Sequence, residues 1–116
     1  LSILNKEHDM KHLVLAALLV AAPSMATTKE QLAVCTALSD LAGVIMEARQ
    51  TGTPLSKIME VSYKDAGATE ITQALAMEAY KAPRYNTPQY QQREIDDFKN
   101  TIMMLCLENK KSHSPT

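Results

Sequence analysis

Apolar residues return along most of this chain at helical spacing, and the stripes they draw predict four helices. Cys35, Leu38, Ala42, Ile45 and Met46 stand at i, i+3, i+7, i+10 and i+11, one face of an amphipathic helix that Val34, Leu41 and Ala48 widen. That helix is expected over about 28–50. Thr27 with Glu30, or Thr28 with Gln31, offers a capping pair at its start, and Gly52 supplies the stop. Thr53-Pro54 opens a short second helix, Thr as cap and Pro at the first helical position, with Leu55, Ile58 and Met59 on its apolar side. It fades near Ser62, and Tyr63 to Gly67 connects it onward.

A third helix is expected from Ala68 to Ala82, with Ile71, Ala74, Leu75 and Ala79 inward and Pro83 as its end. Arg84 to Asn86 forms a turn, and Thr87-Pro88 repeats the cap-and-proline device. The last helix then runs to about Asn109, its stripe being Ile95, Phe98, Ile102, Leu105 and Cys106, spaced as in the first helix. No period-two run competes, and no internal repeat or low-complexity segment is present. The expected fold is all-α, a small bundle of three to four helices.

The front of the chain follows another logic. Lys11 and His12 precede an unbroken apolar run from Leu13 to Ala22, then Pro23, with Ser24 and Ala26 as small residues before a cut. This is the pattern of a secretory signal peptide over 10–26. Its apolar run of about ten residues is half the roughly 20 that a membrane-spanning helix needs, so no stable membrane anchor is expected after cleavage. Residues 1–9 carry Glu7 and Asp9 against Lys6, which dilutes the positive start, and they read as an upstream extension before a true start at Met10. Cleavage after Ala26 leaves Thr27 to Thr116, with a helical domain over 27–111 and a disordered tail over 112–116. Leu32-Ala33-Val34-Cys35 superficially resembles a lipoprotein cleavage box. Val34 is large for its position, however, and Cys35 lies well past the apolar run, inside the first helical stripe.

Export changes the meaning of the two cysteines. In an oxidising compartment an even count favours a disulfide, and Cys35 and Cys106 allow one intramolecular pairing. Both sit on the apolar faces of the two longest helices. A bond between them closes a loop of about 72 residues, which the chain-entropy model values at roughly 4 kcal/mol. No Cys-x-x-Cys spacing suggests redox catalysis.

Charge excludes some partners. Residues 27–116 hold ten Lys and Arg against eleven Asp and Glu, and their one adjacent basic pair is Lys110-Lys111. Nucleic-acid binding needs clustered cations to displace phosphate counterions, so none is expected. Catalytic chemistry is equally thin. His113 is the one histidine after Ala26 and falls in the tail, so a nucleophile has no base and a zinc site has no closed ligand set. No catalytic residue, cofactor or metal ligand is assigned. Carboxylates alone remain, Asp40 with Glu47 on the first helix and Asp96 with Asp97 on the last. Their placement is that of a wet helical face and a helix start.

Two features could serve a protein partner. Met46, Met59, Met77, Met103 and Met104 fall in predicted helices, where methionine mostly fills core gaps; Met103 and Met104 cannot both face the core. Around the turn, Tyr80, Arg84, Tyr85 and Tyr90 bring residue types favoured at interfaces into one short segment, although tyrosines also pack over helix ends.

Ala48-Arg49-Gln50-x-Gly52-x-Pro54-Leu55-Ser56, then Ala79-Tyr80-x-x-Pro83-Arg84-Tyr85, then Phe98 and a final cysteine form a pattern over most of the mature chain. It resembles small exported proteins of unknown function encoded by bacteria and their phages or prophages. The resemblance implies a compact helical fold with paired cysteines and carries no assigned activity. The expected function is that of a non-enzymatic binding protein of the cell envelope, exported to the periplasm or beyond, with an unidentified protein partner. By analogy of size and class alone, the alternatives are a phage-exclusion inhibitor of a cell-wall hydrolase, a periplasmic chaperone and, last, a carboxylate-dependent hydrolase.

Overall fold

The computed structural model describes residues 26–112. The upstream extension, all of the signal segment but Ala26, and residues 113–116 of the tail lie outside the described residues. Four helices follow one another: α1 (Lys29–Thr51), α2 (Leu55–Ser62), α3 (Thr69–Ala79) and α4 (Pro88–Ser112), and there is no strand among the described residues.

The helix ends obey local chemistry. Of the two capping pairs, Thr28 and Gln31 form the box: the Gln31 N–H donates to the Thr28 hydroxyl at 3.1 Å, and the Thr28 N–H donates to Gln31 Oε1 at 3.0 Å. Gly52 ends α1 in the left-handed region at φ 93°, and the N–H groups of Gly52 and Thr53 return to the carbonyls of Arg49 and Ala48. α4 begins at Pro88, as the cap-and-proline pattern predicts, and extends to Ser112, the first residue of the expected tail. α2 departs by one position. Pro54, not Thr53, occupies the cap, and no side chain caps that helix.

α3 stops at Ala79, three residues short of Ala82. Pro83 disfavours helical geometry at Ala82, and Lys81 and Ala82 turn back in tighter bonds to the carbonyls of Glu78 and Ala79. The carbonyls left open beyond that turn are taken by side chains from the end of α1.

α1 and α4 form a long antiparallel pair, the most extensive contact among the described helices. Cys35 and Cys106 are joined by a disulfide with Cα atoms 5.6 Å apart. Midway, the Ser39 hydroxyl donates to the Lys99 carbonyl at 3.0 Å. α3 lies beside this pair, and α2 packs on α3. The core is Ala42, Ile45, Met46, Leu75, Ala76, Ala79 and Ile102, with Phe98, Ile95 and Leu38 against it. α1 has the length and composition of a membrane-crossing helix. Its Cys35, Ala42, Ile45 and Met46 positions are buried inside the fold, as a core helix requires. The three alanines and Gly43 let backbones approach closely, and the stem of Lys99 lies over Gly43 where a side chain would otherwise stand.

Several positions expected inward face outward. Val34, Ile71 and Leu105 are each about half exposed, and Ala74 is exposed too. On α3 the buried face is Leu75, Ala76 and Ala79, a rotation from the expected stripe. Met46 is buried and Met59 and Met103 are half-buried, whereas Met77 and Met104 face solvent.

Candidate functional site

Two regions at opposite ends of the α1–α4 pair carry the features of interest. The first gathers the tyrosine turn. Gln50, on the last turn of α1, is 1% exposed. Its amide donates to the Pro83 carbonyl at 2.9 Å and its Oε1 accepts from the Tyr85 N–H at 2.8 Å. The Gln50 carbonyl in turn accepts from Arg84 Nε at 3.1 Å. Arg49 Nε donates to the Ala82 carbonyl at 3.1 Å, and its guanidinium lies over the Tyr80 ring. The Tyr80 hydroxyl donates to the Thr53 carbonyl, and Gln91 donates to the Tyr85 carbonyl at 2.7 Å. A buried polar group is tolerable when it is fully paired, and Gln50 is paired at both amide atoms and at its carbonyl.

Tyr80 and Arg84 therefore spend polar groups inside the fold. Burial raises the Tyr80 hydroxyl above its usual value of 10, and the Arg49 charge opposes that rise. The Arg84 guanidinium also sits where a Cβ on Gly52 would stand, 2.8 Å from the nearest nitrogen. Tyr85 and Tyr90 pack ring to ring at 5.9 Å; Tyr90 is half exposed, and Arg93 caps its face. Of the three tyrosines in this segment, Tyr90 is the most exposed, and Arg84 is exposed as well.

The second region was not foreseen as a site. Between the N-terminal half of α1, the start of α3 and the C-terminal half of α4 runs an open groove of about 790 Å³. α1 contributes Val34, Ala37, Leu38 and Leu41; α3 contributes Ile71, Ala74 and Leu75, with Ala68 before it; α4 contributes Ile102, Leu105, Cys106 and Asn109. Among the described residues no charged side chain lines it. The cause is a mismatch in length. α3 has 11 residues against 23 in α1 and 25 in α4. Its end is tied to Gln50, so it covers the pair there and runs out before the far end. Val34, Ile71 and Leu105 obey the helical periodicity but meet no opposing helix. Their exposure follows from that gap. A smaller hollow of about 500 Å³ at the α2–α3 connector, lined by Tyr63, Gly67 and Glu70 among others, shares Ile71 with the groove.

The carboxylates are dispersed. Asp40 and Glu47 are exposed, and Asp40 sits 3.6 Å from Lys99 Nζ. Asp96 accepts from Gln92 one turn before it at 2.9 Å. Among the described residues no group of three or more His, Cys, Asp or Glu could hold a metal ion. No protein-family model matches the chain, and comparison with curated proteins and with solved structures gives no match.

Proposed function

We propose that this is a small exported, non-enzymatic binding protein of the cell envelope, and that its working surface is the groove between α1, α3 and α4. The observation that carries this reading is the groove's lining: mostly aliphatic side chains from three helices, half exposed at Val34, Ile71 and Leu105, with no charged side chain among the described lining residues. Isolated exposed apolar residues are ordinary, whereas a contiguous apolar hollow in a small domain marks an interaction site. The occupant that fits is an apolar or amphipathic helix of a protein partner. The groove is the position that a full-length third helix would fill beside the pair, and a guest helix would restore that packing. The disulfide is compatible with export and fixes the two walls that the guest would contact. A wall-hydrolase inhibitor is one form of this reading, distinguished by a fixed one-to-one complex.

The test is affinity capture from envelope extract with the wild-type protein, Leu105→Asp, Ile71→Asp, and an Arg84→Ala/Tyr85→Ala pair, each checked for native helicity. A partner held by wild type and by the turn variants, and lost from both groove variants, supports the groove. Loss from the turn variants alone moves the site to the tyrosine turn.

A further inference from the structure

The Cys35–Cys106 bond stands at the groove end of the α1–α4 pair. Cys106 lines the groove, whereas Cys35 is not among the lining residues. The two sulfurs are thus unequal: Cys35 is 0% exposed and Cys106 8%. The polar ties between the same two helices run from Ser39 to the Lys99 carbonyl and from Asp40 to Lys99 Nζ. They lie nearer the Gln50 end, by about one turn on α1 and two on α4. α3 is fastened at the Gln50 end as well, through the chain that follows it. At the open end, where α3 has run out, the crosslink holds together two walls that no third helix clamps.

We propose that this disulfide is a redox switch on the groove: the bond holds the walls in place for binding, a small thiol reaches it at Cys106 through the groove, and an occupant closes that route. The proposal rests on the groove being the binding surface, and it concerns the regulation of that same site. The step is thiol–disulfide exchange with a glutathione-type thiol. Its thiolate attacks Cys106 Sγ, the new sulfur–sulfur bond forms as Cys35–Cys106 breaks, and Cys35 Sγ leaves with the electron pair and takes up a proton. A second thiol attacks the glutathione sulfur of the mixed disulfide and releases Cys106 as a thiol. The protein gains two electrons and two protons, and two thiols become one disulfide. Coupling between sites is reciprocal. If reduction weakens binding by loosening the walls, binding opposes reduction by the same factor.

The test uses the oxidised protein as the cell delivers it, purified as the monomer, with the apolar dye bis-ANS as probe. Leu105→Asp, which puts a charge in the groove, is expected to weaken dye binding about tenfold or more. If it does not, the groove reading falls and the switch with it. In excess glutathione, trapped with N-ethylmaleimide and mapped, the first adducts are expected to carry glutathione on Cys106 and maleimide on Cys35. Dye at about ten times its dissociation constant leaves about one groove in eleven empty, so reduction is expected to slow about tenfold. The same dye concentration is expected to leave the reduction rate of Leu105→Asp unchanged. A Cys35→Ala/Cys106→Ala pair is expected to lose the dye binding that depends on Leu105. First adducts on Cys35, unslowed reduction, or Leu105-dependent binding retained by the alanine pair overturns the switch and leaves the groove standing. The adduct and rate readings are made on the wild-type bond, so they decide the matter even if the alanine pair does not fold.

Discussion

The Gln50 side chain accepts a hydrogen bond from the backbone N–H of Tyr85, 35 residues later, at 2.8 Å, and the same amide donates to the Pro83 carbonyl. One buried glutamine thus fixes where the chain turns from α3 into α4. Truncating it strands the Pro83 carbonyl and the Tyr85 N–H, both part-buried, and leaving a buried group unpaired costs about 1–3 kcal/mol. Gln50→Ala is therefore expected to destabilise by about 2 kcal/mol in urea unfolding, each part-buried group lying at the low end of that range. Gln91→Ala, whose amide meets the half-buried Tyr85 carbonyl, is expected to cost about 1 kcal/mol.

Gly52 and Gly43 make opposite predictions for the same substitution. Gly52 has φ 93°, and a Cβ there meets the Arg84 guanidinium at 2.8 Å. Gly52→Ala is expected to destabilise by about 1–2 kcal/mol, the cost of left-handed backbone for an L-residue. At Gly43 a Cβ meets the Lys99 stem at 2.8 Å, but that stem is flexible and the backbone is helical. The helix-propensity gain of about 1 kcal/mol offsets the displaced lysine, so Gly43→Ala is expected to stay within about 0.5 kcal/mol of wild type. Thermal or denaturant melts of the two variants check the contrast.

Reduction of Cys35–Cys106, or a Cys35→Ala/Cys106→Ala pair, releases a crosslink between residues 71 apart. The loss expected from chain entropy is about 4 kcal/mol. For a domain of this size that is a large share of a total near 5–10 kcal/mol. Because Cys106 is also part of the groove wall, hydrogen exchange is expected to rise first over residues 34–41 and 102–109, before the Gln50 end opens.

Tyr80 sets a limit at high pH. Its folded-state pKa is raised by burial above the usual 10. Between the unfolded and folded values the unfolded chain has lost the phenolic proton and the native chain retains it, so stability falls as pH rises. Below pH 10 this contribution is fully present, and it is lost as pH climbs through the folded value. Urea midpoints measured from pH 8 to 11.5 are expected to drop above 10, and Tyr80→Phe is expected to flatten that drop while lowering stability below pH 10 by the lost bond to Thr53. An unchanged slope in Tyr80→Phe contradicts the assignment.

The elements are legible in local sequence patterns. Stripe spacing, the Thr28–Gln31 box, Gly52 and the Thr87-Pro88 start are local rules acting over one or two turns, and they placed α1 and α4 to within a few residues. The cysteine pairing was also legible, since two cysteines on two apolar faces leave one internal partner each. The rest depends on how the helices pack. Local signals carried α3 to Ala82, but α1 supplied Arg49 and Gln50 to hold the Ala82 and Pro83 carbonyls outside the helix. Periodicity marked Val34, Ile71 and Leu105 as inward without saying whether another helix would stand opposite. Periodicity reports the direction a side chain points on its own helix; burial depends on what stands opposite, and that is a relation between helix lengths. The groove exists because α3 is shorter than the pair it packs on, a comparison that has meaning only once the three helices are side by side.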